Sequence, residues 1–139
     1  MIVRPAILAD AQLLFRWRLD DEQAEWWQGE GVSFTNHYQW LEERLNSPSV
    51  ILLIGEVDGT PVGQARIDSN GELSFSIDKH HRGKGYGVKL VQLATEAAYQ
   101  AGHTRVKAVA DNTNDAGITT MMKAGYKLRP DVVFLRHPE

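Results

Sequence analysis

The chain has 139 residues, of which 42% are hydrophobic and 24% charged, and it contains no cysteine. That length and composition are typical of one folded domain over residues 1–139, with a core that needs no disulfide or structural metal. The absence of cysteine excludes disulfides, thiolate zinc sites and cysteine nucleophiles, and it suits a reducing compartment. We expect no metal site.

Leader segments, membrane spans and nucleic-acid binding are not indicated. Met1–Pro5 lacks the basic start and long apolar run of a signal peptide. The longest apolar run, Val50–Ile54, suits a buried strand and is far too short for a membrane span. The net charge of −3 does not attract nucleic acid to the whole surface. We expect a cytoplasmic protein that binds neither membranes nor nucleic acid.

The N-terminal third predicts one strand and two helices. Met1–Arg4 predicts a short strand that ends at a proline. Asp10–Trp26 predicts a helix, capped by Asp10, whose apolar residues recur at helical spacing. Thr35 or Asn36 is the expected cap of a second helix, which ends before Pro48.

Three antiparallel strands are expected next. They are Val50–Val57, Pro61–Ile67 and Glu72–Asp78, and the last alternates apolar with polar residues. The turns between them are predicted at Asp58-Gly59 and at Ser69–Gly71.

The remainder alternates helices with strands. A helix is predicted over Gly85–Ala101, a strand over Thr104–Ala110, a helix capped by Asn114, and closing strands over Tyr126–Arg129 and Val132–Arg136. The full order is β-α-α-β-β-β-α-β-α-β-β. It predicts an α+β fold with a mixed, mostly antiparallel sheet of about six or seven strands, flanked by about four helices.

Glycine and basic residues alternate in Arg82–Gly87, between a predicted strand and the longest predicted helix. Glycine permits positive φ and close approach of a ligand to the backbone. The first amides of a helix have no internal partner and favour an anion, and Arg82 and Lys84 add charged donors. A run of charge from Lys79 to Lys84 is also consistent with a solvated turn. Together with the glycines it favours a diphosphate ligand.

Two common phosphate-binding motifs do not fit this loop. A Walker loop would place its first glycine at Asp78 and a serine or threonine at Gly85. A dinucleotide fingerprint would need glycine at Val88 or at Leu90. A protein that binds the phosphates of a nucleotide in another way stays open as an alternative.

Arg82-x-x-Gly85-x-Gly87 resembles the (Gln/Arg)-x-x-Gly-x-(Gly/Ala) signature of the GNAT acetyltransferases. The segments Val109–Asn114 and Ala124–Tyr126 are similar to the second motif of that family, and the N-terminal Arg4-Pro5-Ala6 is similar to its ribosomal-protein and amino-sugar branches. The resemblance spans nearly the whole chain and is strongest over residues 50–129. It implies the GNAT fold and acetyl-CoA as cosubstrate.

The resemblance also implies how the cofactor is held: backbone of residues 82–88 on the pyrophosphate, a strand end on the pantetheine arm, and an asparagine on the same arm. The cofactor-binding residues so implied are Phe75, Ser76, Ile77, Arg82, Gly83, Lys84, Gly85, Tyr86, Gly87, Val88 and Asn114. The sheet is expected to splay between this strand end and the strand at 104–110, which gives the acetyl group a slot.

The reaction implied is direct attack of a neutral amine on the thioester. A backbone amide at Ile77 or Asp78 is expected to polarise the thioester carbonyl. Glu72 is the first candidate for the base that removes the amine proton, directly or through a water chain. An exposed strand-edge carboxylate is the other interpretation of Glu72. His80 and His81 titrate in the useful range but are expected in the exposed loop.

The proton donor is not identified by the sequence. Many members of the family place a tyrosine seven residues after the asparagine of the second motif, and here that position is Met121. Tyr126 is expected in the core, and Asp111 is a weaker candidate for the base. The missing tyrosine leaves open a non-catalytic acyl-CoA-binding module on the same fold.

The acceptor side is expected along the first two helices and their loop. Trp26 and Trp27 are the predicted substrate-binding residues, since an exposed indole can stack on a sugar; an indole that caps the core is the equal alternative. Glu22, Glu25 or Glu30 could attract a cationic amine, although solvated surface is their ordinary place. The predicted acceptor is a small-molecule amine such as an amino sugar, and a peptide amine is the alternative. A homodimer stays open, because dimers are common in such folds.

Overall fold

The computed structural model describes residues 1–20, 33–109, 115–128 and 133–136, and within them the elements follow the order that the sequence predicts. The strands are β1 (Ile2–Pro5), β2 (Ile51–Val57), β3 (Thr60–Ile67), β4 (Leu73–Ile77), β5 (Val106–Val109), β6 (Lys127–Leu128) and β7 (Val133–Arg136). The helices are α1 (Ala11–Asp20), α2 (Phe34–Leu45), α3 (Tyr86–Gln100) and α4 (Asp115–Lys123). The predicted α+β class is confirmed.

The strands form two antiparallel sheets that meet at one point. The first sheet has the order β1-β2-β3-β4, and the second has the order β5-β7-β6. A parallel bridge between Glu72 and Lys107 joins them, and the Lys107 amide donates to the Gly71 carbonyl at 3.0 Å. No other pairing between β4 and β5 occurs in the described residues, so β4 has an open edge beyond Glu72.

Two apolar clusters lie on opposite faces of the first sheet, because side chains alternate along each strand. One face packs against α3 and α4, and the other packs beneath α1 and α2. The first cluster contains Leu53, Ala65, Ile67, Leu73, Leu90, Val91, Ala94, Ala98, Val106, Ala108, Met121, Ala124 and Tyr126. The second contains Ala6, Ala11, Leu14, Trp17, Leu41, Leu52 and Ile54. The adjacent residues Leu52 and Leu53 therefore belong to different layers.

Two of the three predicted helix caps differ in the structure, and the third, Asn114, lies outside the described residues. The cap of α2 is Ser33, whose hydroxyl accepts from the Asn36 amide at 3.1 Å, so the prediction of Thr35 or Asn36 was wrong by a few residues. Asp10 does precede α1, but its carboxylate turns back and accepts from the Ile7 amide at 2.8 Å. Asp10 does not cap α1 through its side chain because its carboxylate binds an arginine of β1, and a charged donor is a stronger partner than a helix amide.

That arginine, Arg4, joins three parts of the chain. Its terminal nitrogens donate to the two Asp10 oxygens at 2.9 and 2.8 Å, and its Nε donates to Glu56 of β2 at 3.0 Å. The Arg4 hydrogen bonds hold the pKa of Asp10 below its usual range, against the opposing effect of burial. The pair therefore fixes the start of α1 against the edge of the sheet.

Replacing Asp10 by asparagine tests this junction. We expect Asp10→Asn to lower the free energy of unfolding by about 1.5–3 kcal/mol at pH 7, since a charge-assisted pair is lost from a buried carboxyl. A carboxyl with a depressed folded pKa contributes stability above its usual pKa of about 4 and loses it as the pH falls through the folded value. The difference between variant and wild type should therefore shrink from pH 4 towards pH 2 in urea titrations. The exposed Asp58→Asn change is the control, and a difference that stays constant with pH would contradict the assignment.

Candidate functional site

The open edge of β4 consists of main-chain groups. The Asp78 amide donates to the Val62 carbonyl at 2.8 Å, and the Asp68 amide donates to the Glu72 carbonyl at 2.9 Å, so the even-numbered residues bond to β3. Antiparallel pairing alternates, and the N–H and C=O groups of Phe75 and Ile77 therefore point away from β3. These groups face the gap between the two sheets.

Asp78 anchors the loop that follows β4. Its carboxylate is buried and accepts from the Trp17 indole at 2.7 Å, from the His80 amide at 2.8 Å and from Arg16 at 3.3 Å. Burial alone would raise the pKa of Asp78, but the hydrogen bonds from Trp17 and His80 outweigh it and keep the pKa low. The loop is thus fixed to α1 by a buried negative charge.

Arg82 returns the loop to the edge of β4. Its Nε donates to the Ile77 carbonyl at 3.0 Å, which is one of the groups that face the gap. The guanidinium consequently lies between the end of β4 and the start of α3. Arg82–Gly85 is exposed, as expected for a loop that meets a ligand.

The three glycines of the loop have two different roles. Gly83 and Gly85 have φ of 80° and 81°, and a side chain at either would meet open space. Left-handed backbone is the constraint there, and Gly85 is the N-cap of α3. At Gly87 a Cβ would lie 3.2 Å from Thr120 and 3.4 Å from Phe75, so this glycine allows α3 to pack closely against α4 and β4.

The predicted catalytic groups are distributed along β4. Glu72 is half-buried at the bridge to β5, and its amide donates to Asn70. Of the two amides expected to polarise a carbonyl, that of Asp78 already bonds to Val62, so only that of Ile77 faces the gap. His80 is exposed and His81 half-buried in the loop.

The other predicted residues lie in the core or outside the described part of the chain. Met121 and Tyr126 are 2% and 3% exposed, and the Tyr126 hydroxyl bonds to Thr95, which confirms a core position for Tyr126. Residues outside the described ranges are Trp26, Trp27, Asp111, Asn114, Glu22, Glu25 and Glu30, and their predicted roles stay predictions.

Sequence reasoning missed the role of Asp78. The available signal was an aspartate directly after a buried strand and before a short helical turn, which is the position of a capping residue. Its partner Trp17 lies 61 residues away in the sequence and is buried, at 6% exposure, so no local pattern connects the two.

The chain matches the acetyltransferase (GNAT) domain family over residues 1–127. The chain belongs to the GNAT family of acetyltransferases. This membership confirms the fold, the activity of an acyl-CoA-dependent N-acetyltransferase and the family's cosubstrate, acetyl-CoA. It places the activity at the level of amine acetylation and leaves the acceptor to be found.

Solved structures share the fold of this acetyltransferase at low identity. AAC(6′)-Ib in complex with paromomycin and acetyl-CoA is 23% identical, with a TM-score of 0.80 over 97% of this chain and 92% of that one. A ribosomal-protein-alanine N-acetyltransferase from Brucella melitensis is 22% identical, with a TM-score of 0.82 over 99% and 100%. A spermidine N-acetyltransferase from Vibrio cholerae, in complex with CoA and spermine, is 12% identical, with a TM-score of 0.81 over 92% and 81%.

The described residues of this acetyltransferase contain neither a membrane-spanning helix nor a cluster of metal-binding side chains. Among its described helices, none has the length and apolarity needed to cross a membrane. Nor do three or more histidine, aspartate or glutamate side chains come together there in a way that could hold a metal ion.

A matched pair of glycine variants tests the loop. Gly85→Ala and Gly59→Ala introduce the same methyl group at φ of 81° and 79°, in both cases facing open space. Each should therefore lower stability by a similar amount, about 1–2 kcal/mol. Only Gly85→Ala should weaken acetyl-CoA binding, by about tenfold or more, because the methyl group and the strained backbone disturb the amides at the start of α3. Calorimetric titration measures the acetyl-CoA affinity of each variant. Equal affinity in the two variants would exclude the loop from the site.

Proposed function

We propose that this acetyltransferase transfers the acetyl group of acetyl-CoA to a primary amine of a small molecule, by direct attack of the neutral amine on the thioester. The observation that carries the proposal is the open edge of β4 beside the N-terminus of α3. That arrangement offers extended main-chain groups to an amide-bearing arm and uncovered amides to a diphosphate.

The coenzyme would lie along these two elements. The amides of Gly83, Lys84, Gly85, Tyr86, Gly87 and Val88 would hold the pyrophosphate at the start of α3, with Arg82 beside it. The outward N–H and C=O groups of Phe75 and the outward N–H of Ile77 would pair with the pantetheine arm as an added strand does, since the Ile77 carbonyl already accepts from Arg82. Ser76 bonds to β3 through its main chain, and its hydroxyl accepts from Gln64 at 3.0 Å, so it would line the slot without pairing.

The distance between the proposed oxyanion donor and the proposed base decides how the amine proton can be transferred. Ile77 would polarise the thioester carbonyl through its amide, and Glu72 would take the amine proton. The five residue steps from Glu72 to Ile77 span about 16 Å at the rise of a strand, which is too far for direct transfer. Glu72 therefore acts through a water chain if the carbonyl lies at Ile77. If the carbonyl lies at Phe75, the other outward amide, the separation falls to about 10 Å along the strand.

A peptide N-terminus is the second candidate acceptor. The full-length likeness to the ribosomal-protein-alanine N-acetyltransferase supports it, as does the open edge that an extended peptide could approach.

Trp26 and Trp27 remain the proposed acceptor-binding residues for a sugar ring, and Asn114 remains the proposed contact to the pantetheine arm.

Released CoA is the direct assay. The protein is incubated with acetyl-CoA and a panel of amino sugars, amino acids, polyamines and short peptides, and thiol release is followed. We expect turnover with at least one small amine. Acetyl-CoA binding without turnover on the whole panel would instead support a non-catalytic acyl-CoA-binding module, and the absence of acetyl-CoA binding would contradict the proposed site itself.

The base is tested with Glu72→Gln. We expect kcat to fall about a hundredfold with the KM for acetyl-CoA unchanged, because a general base contributes to the chemical step alone. Glu96→Gln, an exposed glutamate of α3, is the control for loss of charge. Unchanged kcat in Glu72→Gln across pH 6 to 9 would remove Glu72 from the mechanism.

A further inference from the structure

Three guanidinium groups surround one indole on the face of the sheet that α1 and α2 cover. The Cζ atoms of Arg18, Arg44 and Arg66 lie 5.8, 5.3 and 5.5 Å from the centroid of the Trp40 ring. We name Arg18, Arg44, Arg66 and Trp40 the arginine cluster. Its members come from α1, α2 and β3, so the fold alone brings them together.

The cluster concentrates like charge in a partly desolvated place. Burial, and then the charge of Arg66, lower the pKa of Arg18. The Arg66 side chain is only 21% exposed and forms an ion pair with Asp68, with 3.3 Å between Nε and Oδ1, although that Nε makes no hydrogen bond within the described residues. Arg44 forms no ion pair within the described residues. Mutual repulsion of this kind is relieved by an anion placed among the guanidiniums.

His37 borders the cluster without adding charge to it. Its ring stacks on Trp40 at 5.8 Å, and its Nδ1 lies 3.3 Å from an Arg18 terminal nitrogen. Burial and the nearby charge of Arg18 lower the pKa of His37, which is 2% exposed. A neutral His37 accepts from Arg18 and leaves the arginines as the source of positive charge.

The register places Arg66 of the cluster on the face of β4 from which an amine would reach the proposed acetyl slot. Arg66 lies directly opposite Ser74 of β4, and the side chains of that pair share a face. Glu72 is the diagonal neighbour of Arg66, at about 7–8 Å in such a ladder. The opposite face of β4 is filled by the core beneath α3 and α4, so an amine has to approach from the face that holds the arginine cluster.

We propose that the arginine cluster binds an anionic group of the acceptor, a carboxylate or a phosphate, while the amine of the same molecule reaches the proposed acetyl slot along β4. This inference rests on the proposed function and narrows its substrate class. The acceptor is then a small zwitterion, and polycationic amines such as polyamines and aminoglycosides are disfavoured by charge repulsion. A guanidinium, with its planar fork of donors, suits both oxyanions.

The test uses pairs of amines that differ in the anionic group, and kcat/KM is calculated on the concentration of neutral amine because the two amines of a pair differ in pKa. Alanine is compared with alaninamide, and glucosamine 6-phosphate with glucosamine, by thiol release from acetyl-CoA; spermidine serves as the polycation. We expect kcat/KM to be at least about tenfold higher for one anionic member than for its neutral partner, and the two pairs tell carboxylate from phosphate. Equal values within both pairs, or a preference for spermidine, would overturn the inference while the proposed function stands.

Substitutions locate the effect in the cluster. Arg66→Gln and Arg44→Gln should each remove most of the anionic preference, mainly through KM for the acceptor, with acetyl-CoA affinity unchanged. The exposed Arg105→Gln is the control for net charge. Arg44→Gln keeps the test decisive if Arg66→Gln does not fold. Loss of thermal stability in both variants, with the anionic preference intact, would show that the guanidiniums only pack on the indole.

Failure of the proposed function gives a different pattern. If no amine is acetylated although acetyl-CoA binds, calorimetric titration of alanine and glucosamine 6-phosphate into the CoA complex decides the inference separately. Binding of either that Arg66→Gln or Arg44→Gln weakens would support the anion site, and no binding of either would overturn it.

Discussion

The structure depends on keeping one edge of β4 open. A strand edge with free N–H and C=O groups is normally paired or covered, because unsatisfied main-chain groups are costly. Here β5 meets β4 only at the Glu72–Lys107 bridge within the described residues, and the edge past it faces a gap. We propose that the extended arm of the coenzyme would satisfy this edge in the way a neighbouring strand would.

The surroundings of the edge hold it in place by charge and by packing. Asp78 fixes the loop to α1 through Trp17, and Arg82 binds the Ile77 carbonyl. Gly87 lets α3 approach β4 closely, and the N-terminus of α3 therefore opens beside the end of the strand. In the proposed site, a diphosphate at the helix and an amide-bearing arm along the strand would thus be held by adjacent elements.

Local patterns in the sequence were sufficient for most of the fold. Alternation in 72–78, the Asp58-Gly59 turn and the apolar face of 85–101 each predict an element that the structure contains, because these signals act over a few residues. The caps were harder, since Ser33, Thr35 and Asn36 are all plausible caps and only geometry selects Ser33.

The site could be predicted only in part, because the sequence signals act over a few residues and the site joins distant ones. The glycine spacing predicts the loop 82–88. Which residues of β4 bond to β3 and which face the gap depends on the register of the two strands, and the sequence does not give that register. The arginine cluster joins residues from 18 to 66 and has no local signature. The pairing of β3 with β4 places Arg66 opposite Ser74, and the packing of α2 on the sheet places Trp40 beside Arg66.

The alternation along β4 is tested most directly by amide hydrogen exchange, followed by NMR with and without CoA. Exchange at Phe75 and Ile77 should slow markedly when CoA is added, because their amides gain a partner. Ser74 and Ser76, whose amides are already in the ladder with β3, should change little. Equal slowing at all four residues, or no change at Phe75 and Ile77 when CoA is bound, would contradict the proposal that the coenzyme pairs with this edge.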